Sequence, residues 1–327
     1  MTNTMSPKLF IGTMSKTVVD ACIEYANENA APLGIIPSRR QVDMFAGYVN
    51  GWRTNTLASY VQKQSNLIVL QRDHGGPLQG DIEDDGVKSL ECDATHFQLL
   101  HIDPFKKHKT IDAAAAYTTN AINSISKFSE CEYEIGTEEA IFPMTPSDAE
   151  AFFAAVKRGT ADNFNRVKYL VVQFGTKIIG THNTGQFDRD RANKMIQVCR
   201  SFDKLSKEHN GDYLTAEGVK TRRALGLDAL NIAPEMGGIE TECIIDEMQG
   251  NQELINTFFD CCIATNRWQK WFPINFNPNE NKLDVLRACG HYCFSTSQFK
   301  DMTKHLNYDR VTEAAKNKIK ERITELL

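Results

Sequence analysis

The sequence lacks any long apolar stretch. No run of about 18 apolar residues occurs in the chain, so a membrane-spanning helix is not predicted. The first 16 residues hold only a four-residue apolar run, at 9–12, where a secretory signal would carry a longer one. We therefore expect a cytoplasmic protein without a membrane partner.

An excess of basic residues is also missing. The chain has 37 Lys and Arg residues against 42 Asp and Glu residues, a formal net charge of −5, and its basic residues are scattered. Proteins that bind nucleic acid neutralise the phosphate backbone with clustered Lys and Arg side chains. We therefore expect no nucleic-acid partner.

The nine cysteines form no CxxC motif of the kind that zinc ribbons and redox sites use. Their number is odd, and two of them, Cys261 and Cys262, are adjacent. Such usage is typical of a reducing compartment, in which thiols stay free. We expect most of these cysteines to be buried thiols.

Short β-rich runs alternate with longer helical stretches, which is typical of repeated βα units around a parallel sheet. The predicted strands are 33–37, 67–71, 97–102, 133–136, 169–175, 205–209 and 227–233. The predicted helices are 15–29, 56–64, 111–128, 146–157, 188–203 and 215–225, with Ser15 and Thr215 as helix N-caps. Because α/β barrels of this length are common as one unit, we predict a (β/α)8 TIM barrel over residues 1–250. Residues 251–327 are predicted to form a helical extension that packs on the barrel.

In such a barrel, the loops that follow the strands build the active site. Polar residues follow several predicted strands: Arg72, Asp73 and His74; Asp103; Glu138; His182 and Asn183; His209, Asn210 and Asp212. Three of the eight histidines thus fall at separate strand ends. Three imidazoles with an open coordination position suit a divalent metal, zinc above all. The predicted metal ligands are His74, His182 and His209, beside Asp73.

Each of these residues has a plainer interpretation. A lone histidine at a strand end is more often a hydrogen-bonded structural residue. Asp73 could form a turn before two glycines, and Glu138 could be a solvated acid at a helix start. Four of the other five histidines lack matching neighbours and are interpreted as structural or surface residues: His96, His101, His108 and His291.

Several segments, in order, resemble one family. They are PLGIIPSRRQVDMFAGYVNGW, VLQRDHGGP, EIGTEEA, YLVVQFG with THNTG, and KEHNGDYLTAEGVK with GLDALNIAP. The ordered set is similar to the Z-type subunit of tagatose-bisphosphate aldolase, a branch of the class II, metal-dependent aldolases. The similarity runs from about Phe10 to Gly238, nearly the whole predicted barrel.

The resemblance implies roles for individual residues. Asp73 matches the acid/base, and His74, His182 and His209 match the three metal histidines. Glu134 and Glu138 match acidic positions around the metal, with Glu138 as a second catalytic carboxylate. Asn231 matches an asparagine that contacts the substrate or its phosphate. The full set of expected substrate-binding residues is Arg39, Arg72, Asp103, Glu134, Asn183, Asn210, Asp212 and Asn231.

One departure from the family concerns the phosphate. Sugar-phosphate aldolases of this type carry small Gly and Ser residues after the third histidine, whereas this chain has Asn210, Gly211 and Asp212. A carboxylate there would repel a phosphate. Arg39, Arg40, Arg72 and Lys207 offer an alternative anion site, although exposed arginines are usually just solvated.

The sequence therefore predicts a metal-dependent aldolase-like lyase for a sugar or sugar phosphate, and a homo-oligomer. The alternative is a non-catalytic barrel that stabilises an aldolase partner subunit, because the Z-type branch is usually described in that way. The three retained histidines favour a catalytic function. The missing Gly-Ser pattern favours the non-catalytic partner function or a different substrate.

Overall fold

The computed structural model describes residues 6–327 and confirms the predicted barrel: eight parallel strands close on themselves, surrounded by helices. The barrel strands are β1 (Leu9–Gly12), β2 (Leu33–Ile36), β3 (Ile68–Gly75), β4 (Leu99–Ile102), β5 (Glu132–Ile135), β6 (Val167–Val172), β9 (Leu205–Glu208) and β10 (Ala229–Ile232). A short antiparallel hairpin, β7 (Ile178–Ile179) with β8 (His182–Asn183), follows β6 outside the barrel. Each barrel strand pairs with the next in chain order, and β1 closes the barrel against β10.

Helices surround the barrel and form the extension that follows it. They are α1 (Lys16–Asn29), α2 (Thr54–Gln62), α3 (Val87–Asp93), α4 (Ile111–Ile125), α5 (Pro146–Thr160), α6 (Arg189–Ser201), α7 (Ala216–Ala224), α8 (Pro234–Glu247), α9 (Gln252–Ala264), α10 (Lys282–Cys289), α11 (Ser297–Thr303) and α12 (Tyr308–Leu326). Ser15 and Thr215 accept hydrogen bonds from backbone amides in the first turns of α1 and α7, as predicted. The predicted helices agree closely with the structure, whereas β1, α3, the hairpin β7–β8 and α8 were not predicted.

Inside the barrel, apolar side chains lie deeper and polar side chains lie closer to the carboxyl ends of the strands. Phe10, Leu99 and Tyr169 belong to a small buried cluster inside the barrel. Side chains alternate across a strand, so the residue two positions further on faces the same side. Two residues after Leu99 comes His101, which is fully buried. The interior therefore changes from apolar to ionisable towards the carboxyl ends of the strands.

The extension after residue 250 has a buried cluster of its own, which continues into α8. Phe258, Leu286 and Phe299 lie in this cluster, together with Ile244 of α8. The last helix, α12, belongs to both clusters: Val311 and Ala315 lie in the extension cluster, and Ile319, Ile323 and Leu326 lie in the main core. The extension is thus packed on the barrel through both α8 and α12.

All nine cysteines are free thiols, and eight of them are buried, as the sequence indicates. Among residues 6–327, no helix has the length and apolar character needed to cross a bilayer.

Candidate metal centre at the barrel mouth

Three histidines meet where β3, β4 and β9 end. The ring centroids of His74 and His101 are 4.8 Å apart, those of His74 and His209 are 5.1 Å apart, and those of His101 and His209 are 4.9 Å apart. Asp73 completes the cluster, in which one ligand atom from each residue lies within 4.8 Å of the others. Within the described part of the chain, this is the one group of His, Cys, Asp and Glu residues that could hold a metal ion.

His74 is held in an uncommon backbone conformation. Its φ angle is 45°, in the left-handed region, where the pairing of β3 with β4 is irregular between Arg72 and Gly75. A side chain other than glycine is unfavourable in this region, so surrounding contacts must hold it there. The His74 amide donates to His101 Nδ1 at 3.2 Å, and His101 Nε2 lies 3.1 Å from the carbonyl oxygen of Gly136. His101 therefore uses both ring nitrogens to support the site.

Two carboxylates orient the other imidazoles. His74 Nδ1 lies 2.7 Å from Asp103 Oδ2, and His209 Nε2 lies 2.6 Å from Glu134 Oε1. An ionised carboxylate can only accept, so each of these nitrogens carries the proton. When both rings are neutral, the lone pairs lie on His74 Nε2 and His209 Nδ1, which are 3.4 Å apart. A histidine that donates its second nitrogen to a carboxylate is the usual arrangement of a metal ligand.

Two further carboxylates line the open side of this pair. Asp73 Oδ1 lies 3.8 Å from His74 Nε2, is buried, and has no hydrogen-bond partner among residues 6–327. Glu138 Oε2 lies 3.5 Å from His74 Nε2 and accepts a hydrogen bond of 2.7 Å from Asn210. A buried carboxylate oxygen without a donor is costly unless a cation or ligand satisfies it. The donor set therefore fits a divalent cation bound between His74, His209 and these carboxylates.

The charges around His74 favour a cation in the same place. Burial lowers the pKa of His74, but Asp73, Asp103 and Glu138 outweigh it and raise that pKa well above its ordinary value. Burial opposes ionisation of Glu138, yet its hydrogen bond with His74 lowers the pKa of Glu138 to about 2. Burial lowers the pKa of His101 to about 4, so this ring is neutral. Either a proton on His74 or a bound metal ion would therefore balance the negative charge of Asp73, Asp103 and Glu138.

A buried ion pair supports the centre from below. Lys207 Nζ lies 2.7 Å from Glu134 Oε2 and 2.6 Å from Gln71 Oε1, and Lys207 is fully buried over the ring of Phe10. Burial opposes ionisation of Glu134, but Lys207 and the neighbouring imidazoles lower its pKa well below the ordinary value. Glu134 therefore stays ionised and fixes the orientation of His209.

His182, a predicted metal ligand, is not brought into the centre. It is exposed on the hairpin β7–β8, with Nδ1 3.5 Å from the hydroxyl of its neighbour Thr181. The chain turns outward after β6 at Gly175 and Gly180, which have φ angles of 90° and 56°. The third imidazole of the cluster is His101, whose two hydrogen bonds agree with the structural role expected of it, although its place beside His74 and His209 was not predicted.

Arg39 and Arg72, predicted to bind substrate, are turned away from the mouth. Arg72 is fully buried, and its guanidinium donates to both carboxylate oxygens of Asp93, at 2.6 and 2.7 Å. Arg39 is also buried and donates to both carboxylate oxygens of Asp84, at 2.6 and 2.7 Å. Arg72 thus links β3 to α3, Arg39 links the loops after β2 and β3, and each guanidinium group is already paired with a carboxylate.

The side chains of Asn183 and Asp212 form hydrogen bonds with backbone groups at the carboxyl end of the barrel. The Asn183 side-chain amide donates to the carbonyl oxygens of Asn210 and Asp212, both at 3.0 Å, and so ties the hairpin to the loop after β9. Asp212 Oδ1 accepts the backbone amides of Ala233 and Glu235, both at 2.8 Å, at the start of α8. In many barrels, the N-terminus of a helix after the last strands binds phosphate. Here the Asp212 carboxylate occupies the amides that a phosphate would use.

Asn231, on β10, is buried, and neither its amide nitrogen nor its oxygen has a partner in the described residues. A buried amide without partners is expected to meet a ligand or water. Contact between Asn231 and a substrate stays a prediction.

A cavity of about 760 Å³ lies over the cluster. Asp73, His74, Glu138 and Asn210 line its inner end, and loops after several strands and residues 265–271 of the extension line the remainder. Its basic residues include Lys106 and Lys270, which the strand-end argument missed. His101, interpreted as structural, lies two residues before Asp103 and so faces the same side of its strand, a signal that could have placed it in the site. Lys207, expected at an alternative anion site, is instead paired with Glu134.

No known protein-family profile matches the chain. A probable tagatose 6-phosphate kinase from Sinorhizobium meliloti 1021 superposes with a TM-score of 0.77 at 18% identity, over 98% of this chain and 99% of that one. The YdjI aldolase from Escherichia coli K12 superposes with a TM-score of 0.60 at 13% identity, over 99% and 93% of the two chains. Fructose-bisphosphate aldolase from Campylobacter jejuni gives 0.59 at 12%, over 97% and 87%. The chain thus shares the barrel fold of these structures.

Proposed function

We propose that the protein is a metal-dependent lyase of the class II aldolase type, which makes or breaks a carbon–carbon bond in a sugar or sugar phosphate. The observation that carries this proposal is the pair of free imidazole nitrogens, 3.4 Å apart, beside the unpartnered Asp73 Oδ1. This group opens into a cavity at the barrel end where active sites of this fold lie.

The residues that would hold the metal are His74 through Nε2 and His209 through Nδ1, with Glu138 as the carboxylate ligand. Two histidines and a carboxylate form a common catalytic zinc site. When bound, the metal supplies a Lewis acid that polarises the carbonyl oxygen of the substrate. Zinc as the particular metal stays a prediction.

The two carboxylates that line the cavity are suited to proton transfer. In cleavage, a carboxylate takes the proton from the hydroxyl group next to the bond that breaks, and in condensation it returns that proton. Asp73 is the better base, because its Oδ1 accepts no hydrogen bond from residues 6–327. Glu138 already accepts from Asn210 and is held in place. Asn210 and the unpartnered amide of Asn231 would orient hydroxyl groups of the substrate.

The comparisons support this class of substrate. Two of the structures that share the fold are named aldolases, and one is named a probable tagatose 6-phosphate kinase. Together with the ordered motifs of the Z-type aldolase branch, they favour a ketose or ketose phosphate. The alternative, a non-catalytic partner barrel, is less favoured because the cluster and its supporting carboxylates are intact.

The test is cleavage of a panel of ketoses and ketose phosphates by the protein reconstituted with zinc, with release of the aldehyde followed in a coupled assay. Asp73→Asn should lower kcat/KM by about 100-fold or more while the fold is kept, because a general base is removed. Asp260→Asn, which changes an exposed carboxylate on α9, should have no effect. A wild-type protein that cleaves none of the panel but raises the activity of a separate aldolase would reverse the proposal.

A further inference from the structure

The outer end of the cavity carries an unusual concentration of positive charge. Four basic residues line it: Arg40 after β2, Lys106 after β4, and Arg267 and Lys270 between α9 and α10. These residues come from three separate parts of the chain and face one opening. The inner end of the same cavity is acidic, with Asp73 and Glu138. The cavity is therefore polarised from the metal centre to its rim.

Few carboxylates neutralise this positive rim. Arg40 and Arg267 share one partner, Asp81, at 3.2 and 2.6 Å. Lys106 and Lys270 have no carboxylate oxygen within 4.0 Å in the part of the chain that the structure describes. Lys270 instead lies over the aromatic rings of Trp271 and Tyr292, 4.6 and 5.6 Å from their centroids. Two lysines at the rim are thus left without a counter-charge.

The basic groups are close enough to repel one another. Burial lowers the pKa of Lys106, and Arg40 and Lys270 lower it further. Enclosure in the mouth and repulsion from Arg40 lower the pKa of Lys270 to about 8. Because the positive charges destabilise one another, a bound anion would stabilise all three.

Other places for a phosphate are closed. The amides at the start of α8 are occupied by Asp212, Arg39 is paired with Asp84, and Lys207 is buried against Glu134. A phosphorylated substrate would therefore have to place its phosphate elsewhere. At the rim of the cavity, cationic side chains are available to bind a phosphate.

We propose that Arg40, Lys106 and Lys270 form an anion subsite that binds the phosphate of a phosphomonoester substrate, at the end remote from the metal centre. This inference rests on the proposed function for the identity of the substrate, although binding at the rim needs no catalysis. A guanidinium binds two phosphate oxygens at once, and each lysine adds a point charge. The carbonyl end of the same molecule would then face the inner end of the cavity.

The experiment is a calorimetric titration with inorganic phosphate, and with fructose 6-phosphate against fructose. Lys106→Ala and Lys270→Ala should each weaken phosphate binding about tenfold, since a hydrogen bond to a charged group is lost. Lys107→Ala is the matched control, because Lys107 is an exposed neighbour that does not line the cavity. Thermal unfolding of each variant checks that the fold is kept.

A second control separates this subsite from the metal centre. His74→Ala should lose turnover and keep inorganic phosphate binding. If the lyase proposal is wrong and the subsite is right, the wild type shows no turnover while phosphate binding still depends on Lys106 and Lys270. The subsite is refuted if the double variant Lys106→Ala/Lys270→Ala binds phosphate as the wild type does. It is equally refuted if fructose and fructose 6-phosphate bind with the same affinity.

Discussion

At the scale of single residues, the centre depends on which nitrogen each imidazole presents. Asp103 accepts a hydrogen bond from one ring nitrogen of His74, and Glu134 accepts one from a ring nitrogen of His209. The other nitrogen of each ring is left free. The sequence placed Asp73, His74 and His209 in the site, because a polar residue that directly follows a buried strand can be recognised from sequence alone. The sequence also placed His182 there, but in the structure the loop after β6 turns outward. That turn depends on glycine conformations and on contacts that no sequence motif indicates.

His101→Ala tests whether this residue supports His74. Loss of the acceptor for the His74 amide should lower metal affinity by about 10- to 100-fold without abolishing binding, as for other supporting residues. His101→Asn, whose Oδ1 can replace Nδ1 as an acceptor, should recover part of the affinity. Metal titration monitored by competition with a chelator measures both variants. Affinity equal to that of the wild type in His101→Ala would contradict the assigned role.

The buried Lys207 is expected to matter for stability. Lys207→Met leaves Glu134 ionised without its partner and should lower the free energy of unfolding by about 3–5 kcal/mol. Lys168→Met breaks the surface pair with Glu132 and should cost at most about 1 kcal/mol. Denaturant unfolding measures both. Adding Glu134→Gln to Lys207→Met should restore part of the loss, and no recovery would contradict the pairing.

At the scale of elements, the barrel strands were largely predictable and α8 was not. Alternating apolar runs and polar loops indicate seven of the strands, but β1 is a short run without a flanking signal. Helix α8 contains Gly237 and Gly238, which predict a break. Tertiary packing decides otherwise: a Cβ on Gly237 would lie 2.9 Å from the Cβ of His291, so glycine permits this close contact.

The Asp212 cap of α8 predicts a pH dependence of stability. Burial and the nearby Glu235 raise the pKa of Asp212 from 3.8 to about 8, despite the two backbone donors. The folded state therefore binds this proton more tightly than the unfolded state, and the stabilisation is complete below pH 3.8 and is lost as the pH rises towards 8. The melting temperature of Asp212→Asn should fall less than that of the wild type between pH 5 and 8. Equal falls would contradict this account.

At the scale of the whole molecule, the alternation of strands and helices was enough to predict the barrel and a helical extension packed on it, whereas the helices through which the extension packs were not predictable. The extension has its own buried cluster, yet α12 joins the main core through Ile319, Ile323 and Leu326. Contacts between segments distant in sequence leave no local pattern, so the sequence could suggest a boundary near residue 250 but not this shared packing.

The shared packing predicts one cooperative unfolding transition. Calorimetry should show a single peak for the full chain, because α8 and α12 link the barrel to the extension. Ile323→Ala, which changes a fully buried side chain of α12, should lower the stability by about 2–5 kcal/mol and shift that single peak as a whole. Two separate peaks, with only one moved by the substitution, would show that the parts unfold independently.

The central claim is that His74 and His209, and not His182, hold a divalent metal at the barrel mouth. The most direct measurement is the metal content of purified wild-type, His74→Ala, His209→Ala and His182→Ala proteins after reconstitution with zinc and removal of loosely bound ions. The account predicts about one ion per chain in the wild type and in His182→Ala, and loss of that ion in the other two variants. An ion lost from His182→Ala, or retained in both His74→Ala and His209→Ala, would contradict it.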